Sequence, residues 1–522
     1  MNKFYAARIS FIVALGGFLM GFDASVISGA IKFISIEFDL SPGQHGFAVA
    51  CLTLTATIAM MLSGPISDKL GRKRVLMYAA VLFLISAVYS SLAPTYYHLI
   101  IARMIGGLGV GSALIVPPMY IAEIAPPKIR GRLVSFNQLN IVIGLSVAFF
   151  TNYLILQLSD SDATWVSHLN LSENNWRWML SLEAVPAIFY LSFLFFVPES
   201  PRWLAMKGKK QEAVSILAKI EGKEKAETIL GSLIESLSDE KNKKKAGLIE
   251  LFKPAMKYVL TIGIVIGVLQ QITGINAVFF YAPMIFEQTG IGTDASFVNA
   301  IIIGLTNLVF TIVAILFVDR VGRKRLLIVG LSGIIISMFI LASSFRAAEY
   351  KIDSESIAKL QEHENFEEFR GVLLMEGSTF KNDVEFKEKI KEYIDPQIIK
   401  KYEGDILSGA ITINAWLVLI GIIGFVASFA VSLGPVMWIL FSELFPDRLR
   451  GLAISMVGVI NSAVSFLIQQ IFPWELSKIG SAGTYSIYGI LAVAGLIFVI
   501  FKLQETKGKS LEEIEAAFIG NK

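Results

Sequence analysis

Long uncharged apolar stretches alternate with short charged ones along the whole chain. Runs free of Asp, Glu, Lys, Arg and His cover 46–67, 75–97, 133–159, 258–286, 295–318, 326–345, 406–442, 451–474 and 479–501. Three more apolar stretches carry one ionisable group each: 9–31 with Asp23, 99–122 with Arg103 and 178–198 with Glu183. Spanning about 30 Å of hydrocarbon takes roughly 20 residues at about 1.5 Å per residue. Every stretch qualifies, so the pattern predicts an all-α membrane protein with twelve transmembrane helices, numbered here in chain order.

The pattern also repeats. Asp68-Lys69-Leu70-Gly71-Arg72-Lys73 follows the second stretch, and Asp319-Arg320-Val321-Gly322-Arg323-Lys324 follows the eighth. Glu123 stands seven residues before Arg130-Gly131, and Glu443 stands seven before Arg450-Gly451. Two like halves are expected: a six-helix bundle over 1–198, a linker over 199–257 and a second bundle over 258–522. Such duplication commonly serves a substrate site between two rocking repeats, which points to a transporter. The first motif pair is 251 residues apart (68 to 319), the second 320 (123 to 443), so about 69 extra residues lie between Lys324 and Glu443. Segment 346–409, with 15 acidic and 10 basic residues, fits that excess. Its composition predicts a small helical hairpin or partly ordered loop, a tolerated surface insertion rather than a partner-binding segment or lid.

Charge in the short loops sets the expected orientation. Lys69, Arg72, Lys73 and Arg74 follow helix 2, Lys128, Arg130 and Arg132 follow helix 4, and Arg320, Arg323, Lys324 and Arg325 follow helix 8. Positive loops lie inside, which puts both termini and the linker in the cytoplasm and the insertion outside a cytoplasmic membrane. The linker, with 13 basic and 9 acidic residues, reads as short amphipathic helices. With 54% hydrophobic and 17% charged residues, the chain is too apolar for a water-soluble domain. The single cysteine, Cys51, excludes an intramolecular disulfide. Because the first stretch carries an acid, it reads as a retained helix rather than a cleaved leader. No nucleotide-binding glycine loop, metal-ligand spacing or nucleophile–base set appears, so the reading is not an enzyme, with no metal and no cofactor. The expected partners are a small solute, a proton and the lipid bilayer, with no nucleic acid, and a functional monomer.

Ionisable residues at bilayer depth are costly and default to function. Asp23 lies 14 residues into helix 1, roughly 21 Å from its inner end. Arg103, six residues into helix 4, and Glu183, five residues into helix 6, come out near the same depth. Desolvation favours the neutral acid and a nearby guanidinium favours the charged one. An Asp whose arginine partner can move away is therefore a proton switch, with Glu183 either coupled to it or orienting Arg103. Helix 7 offers Gln270, Gln271 and Asn276 around Gly274. Amides both donate and accept, as the hydroxyls of a neutral polyhydroxyl ligand do. No Arg or Lys cluster accompanies them, which argues against phosphate or carboxylate ligands. Gln138 in helix 5, Asn307 in helix 8 and Trp438 in helix 10 are further lining candidates.

The runs that carry a family resemblance span nearly the whole chain outside 346–409. They are Gly21-Phe22-Asp23, Pro118-Met119-Tyr120-Ile121-Ala122-Glu123, Arg130-Gly131-Arg132-Leu133, Pro198-Glu199-Ser200-Pro201-Arg202-Trp203-Leu204, Gln270-Gln271, Gly274-Ile275-Asn276, Gly434-Pro435 with Trp438, and Glu505-Thr506-Lys507-Gly508. With them the chain resembles the sugar porters of the major facilitator superfamily, and among these the bacterial xylose–proton symporters. The resemblance implies two six-helix bundles, alternating access and a central sugar site. It implies that Gln138, Gln270, Gln271, Asn276, Trp438 and Asn461 bind sugar hydroxyls and that Asp23 and Arg103 couple the proton. It also implies that Asp68, Arg72, Glu123, Arg130, Asp319, Arg323, Glu443 and Arg450 form a cytoplasmic salt-bridge network that gates access. A facilitator, with Asp23 merely structural, is the alternative; a sugar sensor on the same scaffold is a more distant one. Three positions depart from the pattern: Ser462 stands where a second tryptophan is usual, Leu145 where a Gln is, and Met20 where a Phe is. Gln504 replaces a proline and is expected to affect the tail alone.

Overall fold

The computed structural model describes residues 3–127, 129–242, 247–363 and 365–507. Lys128 and Gly508 of the motifs above lie outside these residues, as does the side chain of Asp319. Among the described residues, twelve helices are long and apolar enough to cross a membrane. They are Phe4–Glu37, Pro42–Leu70, Arg72–Ser91, Tyr96–Ile124, Arg130–Ser159, Asn175–Leu194, Met256–Phe280, Thr293–Val318, Arg323–Arg346, Ala415–Leu444, Arg448–Lys478 and Gly480–Lys502, helices 1 to 12.

The chain forms two compact units. One holds residues up to Val26, Cys51–Ala148 and Arg177–Leu248; the other holds Ile27–Ala50, Phe149–Trp176 and Ile249 onward. Helices 1, 2, 5 and 6 each contribute to both, so the compact units and the sequence halves divide the chain differently. In the first unit, Val13, Phe83, Val116, Tyr120 and Tyr190 make a core that is almost fully buried. The linker joins that core as three helices, Pro201–Met206, Lys210–Glu221 and Lys223–Asn242. Ala213, Ile216, Leu217 and Ile220, spaced by three and four, form the buried stripe of the second. Helices 2 and 4 approach closely because of Gly107 and Gly111. A Cβ there would lie 2.3 Å from the Leu52 carbonyl oxygen and 2.2 Å from that of Ala56. Such small-residue seams let helices pack where lipid supplies no hydrophobic drive.

The insertion of the second unit is neither a helical hairpin nor a partly ordered loop. It is a small mixed fold with a core of its own. Three short antiparallel strands, β1 (Glu349–Ile352), β2 (Ser378–Phe380) and β3 (Ile411–Thr412), form a sheet in the order β2-β1-β3. Tyr350 faces Phe380 on one side and Ile411 on the other. Four short helices, Ser354–Gln361, Asp383–Ile390, Pro396–Lys401 and Glu403–Ala410, pack on it around Leu360, Phe369, Val372 and Ile406. The side chains of Asp353, Asn382 and Asp395 accept backbone N–H bonds and cap three of these helices. Strands of two to four residues leave almost no alternation to read, and the charged residues are the outer faces of capped helices, which explains the misreading. The Lys400 ammonium bonds Asp39 in the turn after helix 1 and holds its carboxyl below the usual range.

A separate core implies separate cooperativity. Phe369→Ala should cost the insertion about 3–5 kcal/mol. Hydrogen exchange followed by mass spectrometry should quicken across 349–412 and leave helices 7 to 12 unchanged; acceleration spread through those helices would refute an independent core.

Candidate functional site

Helix 7 is broken twice. It runs Pro254–Ile272, resumes as Ile275–Phe280 and again as Ala282–Glu287. Gly274 sits at the first break in the left-handed region, φ 91°, and a Cβ there would lie 2.6 Å from the Tyr488 ring. Both conditions call for glycine. On a straight helix Gln271 and Asn276 would point apart; the break returns Asn276 to Gln271, whose Oε1 accepts from Asn276 Nδ2 at 2.8 Å.

A continuous amide network follows in the second unit. Gln271 Nε2 donates to Gln270 Oε1 at 3.1 Å and to Asn461 Oδ1 at 3.2 Å. Asn461 Nδ2 donates to Gln270 Oε1 at 2.8 Å and to the Gly267 carbonyl at 2.7 Å. Asn276 Nδ2 also donates to Ser465 Oγ at 2.6 Å, and Gln469 Nε2 reaches the same oxygen at 2.8 Å. Ser465 and Gln469 were absent from the sequence candidates. Asn461, Ser465 and Gln469 recur every four residues in an apolar helix, a periodicity that could have exposed them. Trp438 is 40% exposed with its ring edge-on to Phe441. Asn307 is buried, with no bond to the network among the described residues. Gln138 belongs to the first unit and is exposed.

The first unit holds the buried charges. Arg103 Nη1 donates to the Asp23 carboxylate and, at 3.2 Å, to its backbone carbonyl. Both residues are at most 1% exposed. Asp23 Oδ2 lies against Ser86 and Gly106, where a Cβ would come within 2.7 Å of it. Glu183 interrupts helix 6 between Asn175–Ser181 and Ala184–Leu194, 1% exposed and within electrostatic reach of both partners. Its carboxylate makes no hydrogen bond to Arg103; Glu183 Oε1, Asp23 Oδ2 and Arg103 Nε and Nη2 are buried without a hydrogen-bond partner. A carboxylate with one bonded oxygen and one unbonded, facing a second buried acid, has room for a proton.

The repeated motifs build the same charged cluster in each unit. In the first, Arg72 pairs with Asp68 at 2.8 Å and with Glu123 at 2.9 Å, while its Nη1 donates to the Ser67 carbonyl. Glu199 accepts the backbone N–H of Arg72 at 3.0 Å, and Ser200 Oγ bonds Glu123. In the second, Arg323 pairs with Glu443 at 2.9 Å, Glu505 accepts the Arg323 N–H at 2.9 Å, and Thr506 Oγ1 bonds Glu443 at 2.7 Å. Glu505 and Thr506 are thus cluster members, not a tail alone. Arg450 Nε donates to the Phe445 carbonyl at 3.1 Å, and Arg130 is exposed with no ion pair among the described residues.

Gly274→Ala would force a Cβ into the Tyr488 ring at a positive φ. A loss of about 1–3 kcal/mol is expected, read as a lowered thermal midpoint in detergent, whereas an unchanged midpoint would mean the break relaxes freely.

Comparison with known proteins adds to this geometry. The family model described as "Sugar (and other) transporter" matches residues 9–359 and 405–518. The arabinose-proton symporter of Bacillus subtilis (strain 168) is 35% identical over 515 residues, covering 99% of this chain and 95% of that protein. The D-xylose-proton symporter of Escherichia coli (strain K12) is 33% identical, covering 99% and 96%. The inward open conformation of the xylose transporter XylE from E. coli superposes with a TM-score of 0.75 at 32% identity, covering 98% of this chain and 100% of that one.

Proposed function

Since the chain belongs to the sugar (and other) transporter family, we propose that it carries a neutral monosaccharide, a pentose or hexose, across the cytoplasmic membrane together with a proton. The observation that carries the sugar reading is the network of Gln270, Gln271, Asn276 and Asn461. Its amide N–H groups donate to one another's carbonyl oxygens, so a sugar entering it exchanges amide–amide bonds for amide–hydroxyl bonds. Each amide–hydroxyl bond is worth roughly 0.5–1.5 kcal/mol net and is partly offset by the amide–amide bond given up, which gives selectivity without the tight hold that would prevent release. Trp438 offers an aromatic face for the sugar's C–H side, and Ser465 with Gln469 fixes the rotamer of Asn276. The relatives are named for arabinose and xylose symport. Ser462 in the second unit, and Leu145 and Met20 in the first, depart from the family pattern and bear on which sugar is preferred.

Asp23 and Arg103 carry the proton coupling. While Asp23 is charged, Arg103 is held to it; when Asp23 takes a proton, the pair loses its Coulomb term and helices 1 and 4 are free to shift. Glu183 adds a second acid beside them and raises the cost of two negative charges at one place. Symport is favoured over facilitation because a facilitator needs no titrating pair at this depth. The clusters around Arg72 and Arg323 are the gating elements of the cycle, with Asp319 belonging to the second by its repeat position.

Two experiments test the reading. Asp23→Asn, a mimic of the protonated acid, should abolish uphill sugar accumulation in proteoliposomes under an imposed pH gradient yet retain counterflow. Accumulation at the wild-type level would remove Asp23 from coupling. Gln271→Ala and Asn276→Ala should each weaken sugar binding about tenfold, roughly 1.4 kcal/mol, measured by calorimetry against a panel of pentoses and hexoses. Unchanged affinity in both variants would place the site elsewhere.

A further inference from the structure

Residues 360–404 fall between the two segments that the family model matches, and they wall one side of a cavity of about 310 Å³ inside the second unit. The other walls are helix 1 beyond Ser28, the start of helix 2, the Ala282–Glu287 segment and the Pro473–Ser477 end of helix 11. Small-molecule sites begin at about this size. We propose that this cavity is a second binding site, for a neutral polyhydroxyl solute, created by the insertion.

The lining chemistry supports that class. Lys32 pairs with Glu287 at 2.7 Å and donates to Thr293 Oγ1 at 2.8 Å. Across from them Lys387 pairs with Glu403 at 2.7 Å, and Gln288 donates to the same Glu403 oxygen at 3.2 Å. Lys32 and Lys387 are each matched by a carboxylate within the cavity, Lys400 is paired with Asp39, and Lys391, also on the wall, is exposed to solvent. Glu287 and Glu403 each use Oε1 in these bonds, leaving Oε2 to accept, and an ammonium has three hydrogens to give. His45, on the wall, has a buried Nε2 with no hydrogen-bond partner. Donors and acceptors thus face one space from opposite walls, with Phe297 and Phe386 beside them for a ligand's C–H surfaces. Hydroxyl groups, which donate and accept at once, satisfy such a mixture where a carboxylate or an amine would satisfy half of it.

The cavity follows the amide network along the same helices. Glu287 is eleven residues beyond Asn276, about 16 Å of helix, and Pro473 is four residues beyond Gln469. A solute held there waits one step from the network, so the inference rests on the sugar-transport reading. It is tested on the full chain in detergent by equilibrium dialysis with radiolabelled D-xylose, L-arabinose and D-glucose. Two sites per chain are expected for the preferred sugar, one at least tenfold weaker. Met284→Trp and Ser477→Trp, which fill the cavity from two walls, should each remove the weaker site and change the tighter one less than threefold. Gln271→Ala should weaken the tighter site and spare the other. One site per chain, unchanged in both tryptophan variants, would overturn the second site. One site lost in those variants but kept in Gln271→Ala would instead overturn the amide-network reading. Loss of both sites in correctly helical tryptophan variants would overturn their independence, and no binding of any of the three sugars by the wild type would overturn both readings.

Discussion

Backbone polar groups at bilayer depth have no water to turn to, and the features of the second unit follow from how they are satisfied. A straight helix satisfies them internally but presents a closed surface. Helix 7 breaks at Thr273-Gly274 and helix 10 at Ser432, and side chains bond backbone carbonyls on either side of the breaks. Gln270 Nε2 donates to the Leu433 carbonyl at 3.2 Å, Asn461 Nδ2 to the Gly267 carbonyl, and Thr273 Oγ1 to the Gln270 carbonyl at 3.2 Å. The amides of the proposed sugar site therefore also tie helices 7, 10 and 11 to one another beside the breaks. Substituting Gln270 or Asn461 removes an interhelical bond as well as an amide of the network.

The first unit meets the same shortage of water with charge. Asp23 and Arg103 neutralise each other, while Glu183 has no cation of its own. A buried pair is weak support for stability, because desolvation offsets much of its Coulomb gain. In the proposed symport the pair is a switch whose two states differ by one proton. At the ends that carry the repeated motifs, arginine is used differently. Arg72 and Arg323 gather two or more acceptors each, and the acids Glu199 and Glu505 fasten the backbone at the start of the next helix. Gly71 and Gly322, at φ 105° and 102°, leave room for those two carboxylates. Among the described residues the arginine, the two glutamates and the hydroxyl recur together, so the duplication preserved a three-dimensional arrangement and not a sequence motif alone.

The insertion is a different kind of object. Its stability comes from a small aromatic and aliphatic core, as in a water-soluble domain, and its ties to the membrane helices are polar. Asp383 accepts from the Ser481 N–H at 2.8 Å and from its hydroxyl at 2.9 Å, and Lys400 donates to the Leu40 carbonyl at 3.0 Å.

The sequence by itself determined the twelve spans, the duplication, the place of the insertion and the residues Asp23, Arg103, Gln270, Gln271 and Asn276. Each of these rests on a cost that is local and large. A charge or an amide in hydrocarbon is conspicuous wherever it stands, and a span needs a fixed length of apolar chain. Tertiary structure decided what those residues touch. It turned Gln271 and Asn276 toward each other through one left-handed glycine, and it added Ser465 and Gln469 to their network. It drew Glu505 and Thr506 into a cluster with Arg323, and it folded a charge-rich segment into a sheet with a core. These outcomes depend on pairings between residues tens to hundreds of positions apart and on strands too short to carry a period. A linear pattern records neither, because the energy that selects them exists only once the chain has closed on itself.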